Sequence, residues 1–473
     1  MSRPTSTSHR PLARRLLRVA GLLAGGLIAL LLLLVAVAWL LPDAPLSPAA
    51  RALLTEPPAP PEQGNGAVLL EGLRAPAGSD YAAFGRSRLA AQRARFAATD
   101  AAPNDRTDLP ADALPLPDTG ALCDPLRQPC IERWLGDADR VSTLVATHGE
   151  LLARLDAVMA QPRFETQQIN HPDAPVTAFG PLAGLLRLRL ADATLALENG
   201  DDARALARLT LQTRFLQRLL AAPDATLIQS MVAGSLLRSH LLVLGEWQQR
   251  WPDSLKDDAE IDALLTEVDV DTDLRGPQRR EAAWTAATLH RLRSGEVAGH
   301  NATRSPLETV LLPAFYKPDA TLNDWAAHVD AQTTALAAPP ERRLAALQAA
   351  QTTFLAGPAD PYALSRLLYN PVGRMLLAVS GIDFGDYQLR LYDTRAVVRL
   401  VALQRALLLT GDSADDARVT AQLQASPLAA SPDGGTRRIG YDPQTRALTW
   451  QPLGQTGPAL RLEGGLYRVH LPR

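Results

Sequence analysis

The chain has 473 residues, 47% of them hydrophobic and 21% charged, with a net charge of −2. This is the composition of a foldable globular protein and excludes a disordered one. With no basic stripe beyond the N-terminus, nucleic-acid binding has no electrostatic footprint.

Residues 1–18 form a basic tail containing Arg3, Arg10, Arg14, Arg15 and Arg18. Val19–Leu41 follows, VAGLLAGGLIALLLLLVAVAWLL, without a charge, and the first acid is Asp43. As a helix the run spans roughly 34 Å, enough for a hydrocarbon core of about 30 Å. Arginine on one side only predicts a cytoplasmic N-terminus, with Arg14, Arg15 and Arg18 at the near interface, Trp39 at the far one and the remaining chain beyond it. Ala36-Val37-Ala38 also fits a signal-peptide cleavage site. The long apolar run before that site and the aromatic at Trp39 favour an uncleaved anchor. No cysteine lies at or just after the run, which excludes lipoprotein anchoring.

Lysine occurs only at Lys256 and Lys317, against abundant Arg and Ala. That bias reads as GC-rich bacterial coding, which would make the membrane an inner membrane and the far side the periplasm. Residues 42–63 are rich in proline and read as an extended, semi-rigid spacer. A mainly α-helical domain is expected over 64–430. Near its start a helix is predicted over Phe84–Ala98, and then a Pro- and Asp-rich loop leads to Cys123 and Cys130. In an oxidising compartment this pair, in CDPLRQPC, reads as a structural disulfide.

From Ile131 the apolar spacing is helical, with one run over Ile131–Gln161. Leu182–Leu220 predicts a helical hairpin turning at Asn199-Gly200, with Asp201-Asp202 opening the second helix. Its LENGD-x-A-x-A pattern resembles one tetratricopeptide hairpin, without a 34-residue period. Further helices are predicted over Thr226–Arg250, Asp262–Val268, Gln278–Arg293, Leu322–Leu336, Glu341–Leu355, Tyr362–Leu368, Val372–Val379 and Tyr387–Leu409. Residues 431–473 read as small antiparallel β-hairpins. Thr436–Tyr441 and Ala447–Trp450 are expected to flank an Asp442-Pro443-Gln444 turn. Ala459–Glu463 and Leu466–Leu471 are expected to flank Gly464-Gly465, with Leu460 facing Val469 and Leu462 facing Tyr467. The fold class is therefore mainly α: an apolar N-terminal helix, an irregular body of helical hairpins, TPR-like in part, and a small C-terminal sheet.

No nucleophile-elbow, zinc-protease, phosphate-loop or dinucleotide fingerprint occurs. Asp269-Val-Asp271-Thr-Asp273 opens like a calcium loop, but Leu274 stands at the required glycine and Arg280 at the bidentate glutamate. His148-Gly-Glu150 is a metal-like fragment expected inside a helix with no third ligand. No metal or cofactor is expected.

Three segments, Asn65–Gly78, Lys317–Asn323 and Tyr369–Gly373, resemble a loose group of uncharacterised proteobacterial single-pass inner-membrane proteins. The resemblance implies architecture and place and carries no activity. The C-terminal order of a long helix followed by hairpins is similar to type II secretion pseudopilins, but no acid lies inside the apolar run, so pilin-type processing is excluded. The functional expectation is a binding or scaffolding role toward an envelope protein or peptide. The alternative is an envelope hydrolase acting on peptidoglycan or a glycan, with Glu281, His290 and Asn323 as candidate residues.

Overall fold

The computed structural model describes residues 10–97, 109–120, 122–171, 174, 177, 179–256, 258–272, 274–294, 306–356, 369–454 and 465–472. Helix α1, Arg10–Leu40, contains the apolar run and begins within the basic tail, so Arg14, Arg15 and Arg18 lie on its backbone. From Val19 to Leu33 it is exposed, and Trp39 is 60% exposed.

Within the stretch expected to be an extended spacer, 42–63, the first part is a docked helix, while 55–63 has no helix or strand. Ser47 caps a short helix, α2, Pro48–Leu54, accepting from Ala50 N at 3.1 Å, with proline at its first position. Ala50 is fully buried, and Leu46, Leu53 and Leu54 pack around the same core. The proline content masks a helix start signal, Ser-Pro followed by apolar residues at helical spacing.

Helices α3, Gly66–Glu71, and α4, Tyr81–Ala97, cross closely. A Cβ at Gly85 would stand 2.1 Å from the Val68 carbonyl oxygen, so only glycine fits there. The predicted run over Ile131–Gln161 is three helices: α5, Ile131–Gly136, α6, Ala138–Thr147, and α7, Gly149–Met159. Non-helical backbone at Asp137 and His148 breaks it, each break beside a glycine, Gly136 and Gly149, which is a poor helix former. Helix α8, Phe179–Glu198, turns at Gly200 (φ +77°) into α9, Asp202–Ala221, whose cap Asp201 accepts from Arg204 N at 3.3 Å. That is the expected hairpin. Helix α10, Leu227–Arg250, is followed by α11, Pro252–Leu255, α12, Ala259–Val268, α13, Arg275–Ser294, and α14, Pro306–Phe315. Then come α15, Pro318–Leu336, α16, Pro340–Ala356, α17, Pro371–Ser380, α18, Phe384–Thr410, and α19, Asp416–Ala425. The helix expected over Tyr362–Leu368 lies outside the described residues.

The main core forms where α10 packs along α18 and α9, with α8 against α9. Several polar side chains buried inside it are paired, as burial demands. Trp247 Nε1 donates to Thr194 Oγ1 at 3.1 Å, and Gln404 Nε2 donates to the Gly245 and His470 carbonyls at 2.9 and 2.7 Å. A second, smaller core joins α2, α13, α15 and α17 through Ala50, Ala282, Ala286, Leu289, Leu322, Trp325 and Leu377.

At the C-terminus β1, Gly440–Asp442, β2, Ala447–Trp450, and β3, Tyr467–His470, form an antiparallel sheet in that order. The β1–β2 turn is as expected: Asp442 accepts from Gln444 N at 3.0 Å, and Arg446 closes it at φ +52°. The partner of Val469 is Leu448, and that of Tyr467 is Trp450. The segment Ala459–Glu463, expected to supply those partners, lies outside the described residues. The sheet is seated on α18 by Asp393, a buried carboxylate that accepts from Trp450 Nε1, Leu453 N and Gly454 N at 2.9, 2.8 and 3.0 Å.

Candidate functional site

The most elaborate polar constellation lies where the apolar helix meets the body. Lys317 stands at the N-cap position of α15 but offers no capping side chain. The first N–H groups of a helix need acceptors. Asp43, two residues past the end of α1's apolar run, supplies them: its carboxylate accepts from Asp319 N at 2.9 Å and Ala320 N at 3.0 Å, and from its neighbour Ala44 N at 2.8 Å. A cap is thus delivered from the far end of the chain, with its negative charge at the positive end of the α15 dipole. Asn323, one turn further, holds the same strand of chain: its Oδ1 accepts from Ser47 N at 2.7 Å and its Nδ2 donates to the Pro45 carbonyl at 3.0 Å.

The Tyr369–Gly373 motif completes the junction from the other side. Asn370 is buried in left-handed backbone, φ +56°. Its Oδ1 accepts from Lys317 N at 2.9 Å and its Nδ2 donates to Thr321 Oγ1 at 2.9 Å. A Cβ at Gly373 would stand 2.1 Å from Thr321 Oγ1 and 2.2 Å from Asn370 Oδ1, so the residue must be glycine. Two motifs that are weak in sequence, 317–323 and 369–373, are therefore in direct contact. Beneath them Tyr316 donates its hydroxyl to the Leu289 carbonyl at 2.7 Å, and Lys317 Nζ donates to the Pro313 carbonyl at 3.0 Å. Burial pushes the Tyr316 pKa up, reinforced by Asp43 and Asp319, and pulls that of Lys317 down, opposed by Asp43.

This arrangement holds parts together. Its carboxylate and amides already have partners, and it brings no nucleophile and base into contact. The hydrolase candidates are placed separately. Asn323 serves the junction. Glu281 accepts from Leu227 N at 3.1 Å and so caps α10; burial raises its pKa. His290 is exposed on α13. No contact joins the three among the described residues.

Two acids of the calcium-like loop are bound to arginines: Asp269 to Arg395 at 2.5 Å and Arg399 at 3.2 Å, Asp271 to Arg343 through both oxygens at 2.9 and 2.8 Å. Asp273 lies outside the described residues. Glu150 accepts from Gly78 N at 3.0 Å and Arg154 Nη2 at 2.6 Å, and neighbouring His148 lies at the α6–α7 break. Among the described residues no group of three His, Cys, Asp or Glu is arranged to hold a metal ion.

Neither fully buried histidine hydrogen-bonds a carboxylate. His240 Nδ1 lies 2.7 Å from the Leu236 carbonyl and Nε2 3.1 Å from the Gln212 side chain. His328 stacks on Phe354 at 3.7 Å with both ring nitrogens unpartnered. A shallow cleft of about 260 Å³ between α9 and its neighbours is lined by Met159, Thr210, Leu211, Arg214, Arg218 and Glu260. Its Arg214 is already paired with Glu267 at 2.8 Å.

Cys123 and Cys130 form a disulfide with a Cα–Cα distance of 5.5 Å. Glu246 on α10 accepts from Cys130 N at 3.0 Å and Ile131 N at 3.3 Å, tying the cystine loop and the α5 start to the core.

No known protein family, curated protein or solved structure matches the chain.

Proposed function

We propose that the chain is a single-pass protein of a bacterial inner membrane. On this reading α1 is the anchor, the N-terminus is cytoplasmic, and the helical body in the periplasm binds or scaffolds an envelope protein or peptide. The observation that carries the reading is the junction. Asp43 and Asn323 fasten the residues just past the apolar helix into the body, so the helix is an integral, aimed part of the fold. Ala36–Ala38 lies within α1, and Ala38 is fully buried, which supports an uncleaved anchor over an exposed cleavage site. The Cys123–Cys130 disulfide is compatible with an oxidising far side. Stacked helical hairpins offer grooves for peptides and partner proteins.

The test is topology plus capture. C-terminal alkaline phosphatase fused to the full chain should be active and a C-terminal green fluorescent reporter dark; the reverse pattern overturns the orientation. Photo-crosslinking from the exposed α9 surface of the full-length protein in its own membranes should yield one discrete adduct. Failure to crosslink any protein or peptide from this and the other body faces would refute the scaffolding role.

A further inference from the structure

The faces of the body beside the junction carry apolar side chains that the fold leaves open. Helix α14 packs along α1. From Val19 onward the covered positions of α1 are Leu34 and Val35, half-buried, and Ala38, fully buried, and they form one helical face in its last two turns. Leu34 lies six residues before Leu40, about 9 Å down the helix axis. A helix that covers this face of an embedded anchor has left water for the outer half of the bilayer. Interfacial helices sink by about 5–10 Å, the same depth. The α14 sequence suits that place: PLETVLLPAF has one charge, Glu308, in its first turn, and none afterwards.

Helix α17 extends the surface. It packs against α14, and it starts at the level of Asp43, because Asn370 is bonded to Lys317. Gly373 and Leu377 face inward, whereas Met375 and Val379, one turn apart on the opposite side, are 62% and 78% exposed. From Met375 to Ile382 there is no charged residue. Exposed apolar side chains clustered in this way mark a contact surface.

We propose that α14 and the outward face of α17 dock into the outer leaflet, so that the body rests on the lipid. The proposal rests on the anchor reading of α1. The lipid is favoured over a protein occupant because the patch is continuous with the segment that enters the bilayer. The distance available reinforces this: α1 ends at Leu40 and Asp43 is already clamped, so the body has no slack with which to stand away.

Spin labels at single cysteines in the full-length chain, with the native disulfide intact, test this in vesicles of phosphatidylethanolamine and phosphatidylglycerol. The sites are Pro313→Cys, Met375→Cys and Val379→Cys, with Val37→Cys as the anchor reference and Thr420→Cys as the water reference; all five positions are exposed in the protein. The expected result is that labels at 313, 375 and 379 collide with oxygen and lose collision with a nickel chelate, as at 37, whereas 420 keeps it. Nickel access at 313, 375 and 379 with protection at 37 overturns the docking and leaves the anchor standing. Nickel access at 37 as well overturns the anchor reading itself. Protection in native membranes but not in pure lipid vesicles assigns the patch to a protein partner and also overturns the proposal.

Discussion

Replacing Asp43 with alanine removes the acceptor of two N–H groups in the first turn of α15 and of Ala44 N. An N-cap truncation costs about 1 kcal/mol, and a carboxylate lost from the positive end of a helix adds up to about 1 kcal/mol. Asp43 is half-buried, so water reaches the freed groups in part and the sum stays near 2 kcal/mol. The loss falls on a local unit, α2 and the start of α15, because the side chains packed there, Ala50, Leu53, Leu54 and Leu322, belong to the smaller core. Hydrogen exchange of the full chain in lipid nanodiscs reads it directly. Amides of 44–54 and 319–322 should exchange roughly 30-fold faster, since each 1.4 kcal/mol is tenfold, while those of α10 and α18 keep their wild-type rates. Asp43→Asn retains one acceptor without charge and should fall between the two. Asn323→Ala should expose the same 44–54 segment, and the double variant should cost less than the sum, because both side chains hold one strand of chain. Unchanged exchange at 44–54 in Asp43→Ala would refute the clamp. Uniform acceleration across α10 would refute its local character.

Asp393→Ala strips three donors of their acceptor and leaves Trp450 Nε1 buried without one; destabilisation of about 3 kcal/mol is expected, with exchange rising first in β2 and β3. Gly373→Ala forces a methyl group against Thr321 and Asn370 and should cost about 3 kcal/mol, seen as a lower denaturation midpoint. His240 is buried with its pKa lowered to about 4, chiefly by desolvation. The folded state therefore binds fewer protons than the unfolded state between about pH 4 and 6.5. Its contribution is complete above pH 6.5 and is lost by about 3 kcal/mol as pH falls toward 4. In His240→Gln the stability difference between pH 7 and pH 4.5 should shrink by about 2 kcal/mol in urea titrations, and an unchanged difference would exclude His240 as the source.

Much of the fold follows from local rules. The α8–α9 turn was legible because glycine at the end of one helix and acids in the next first turn are local signals, and Gly200 and Asp201 perform those roles. The three-helix break of 131–161 was not legible, because apolar spacing continues across Asp137 and His148 while the backbone does not. The hydrolase candidates show the same limit. Glu281 and Asn323 look available in sequence, but a helix N-terminus and a strand of chain far away in sequence occupy them.

The sequence alone determined the apolar N-terminal helix, the cystine loop, the helical body and the C-terminal sheet, since each depends on composition or periodicity within a short window. Only the tertiary structure decided that the first part of the proline-rich stretch, through Leu54, is a docked segment, that Asp269 and Asp271 are paired with Arg343, Arg395 and Arg399, and that residues 43, 317–323 and 369–373 form one junction. The physical reason is the range of the interactions. A helix pattern repeats every few residues, whereas the acceptor that Asp319 N requires comes from a side chain 276 positions away, and no local pattern in either segment specifies the other.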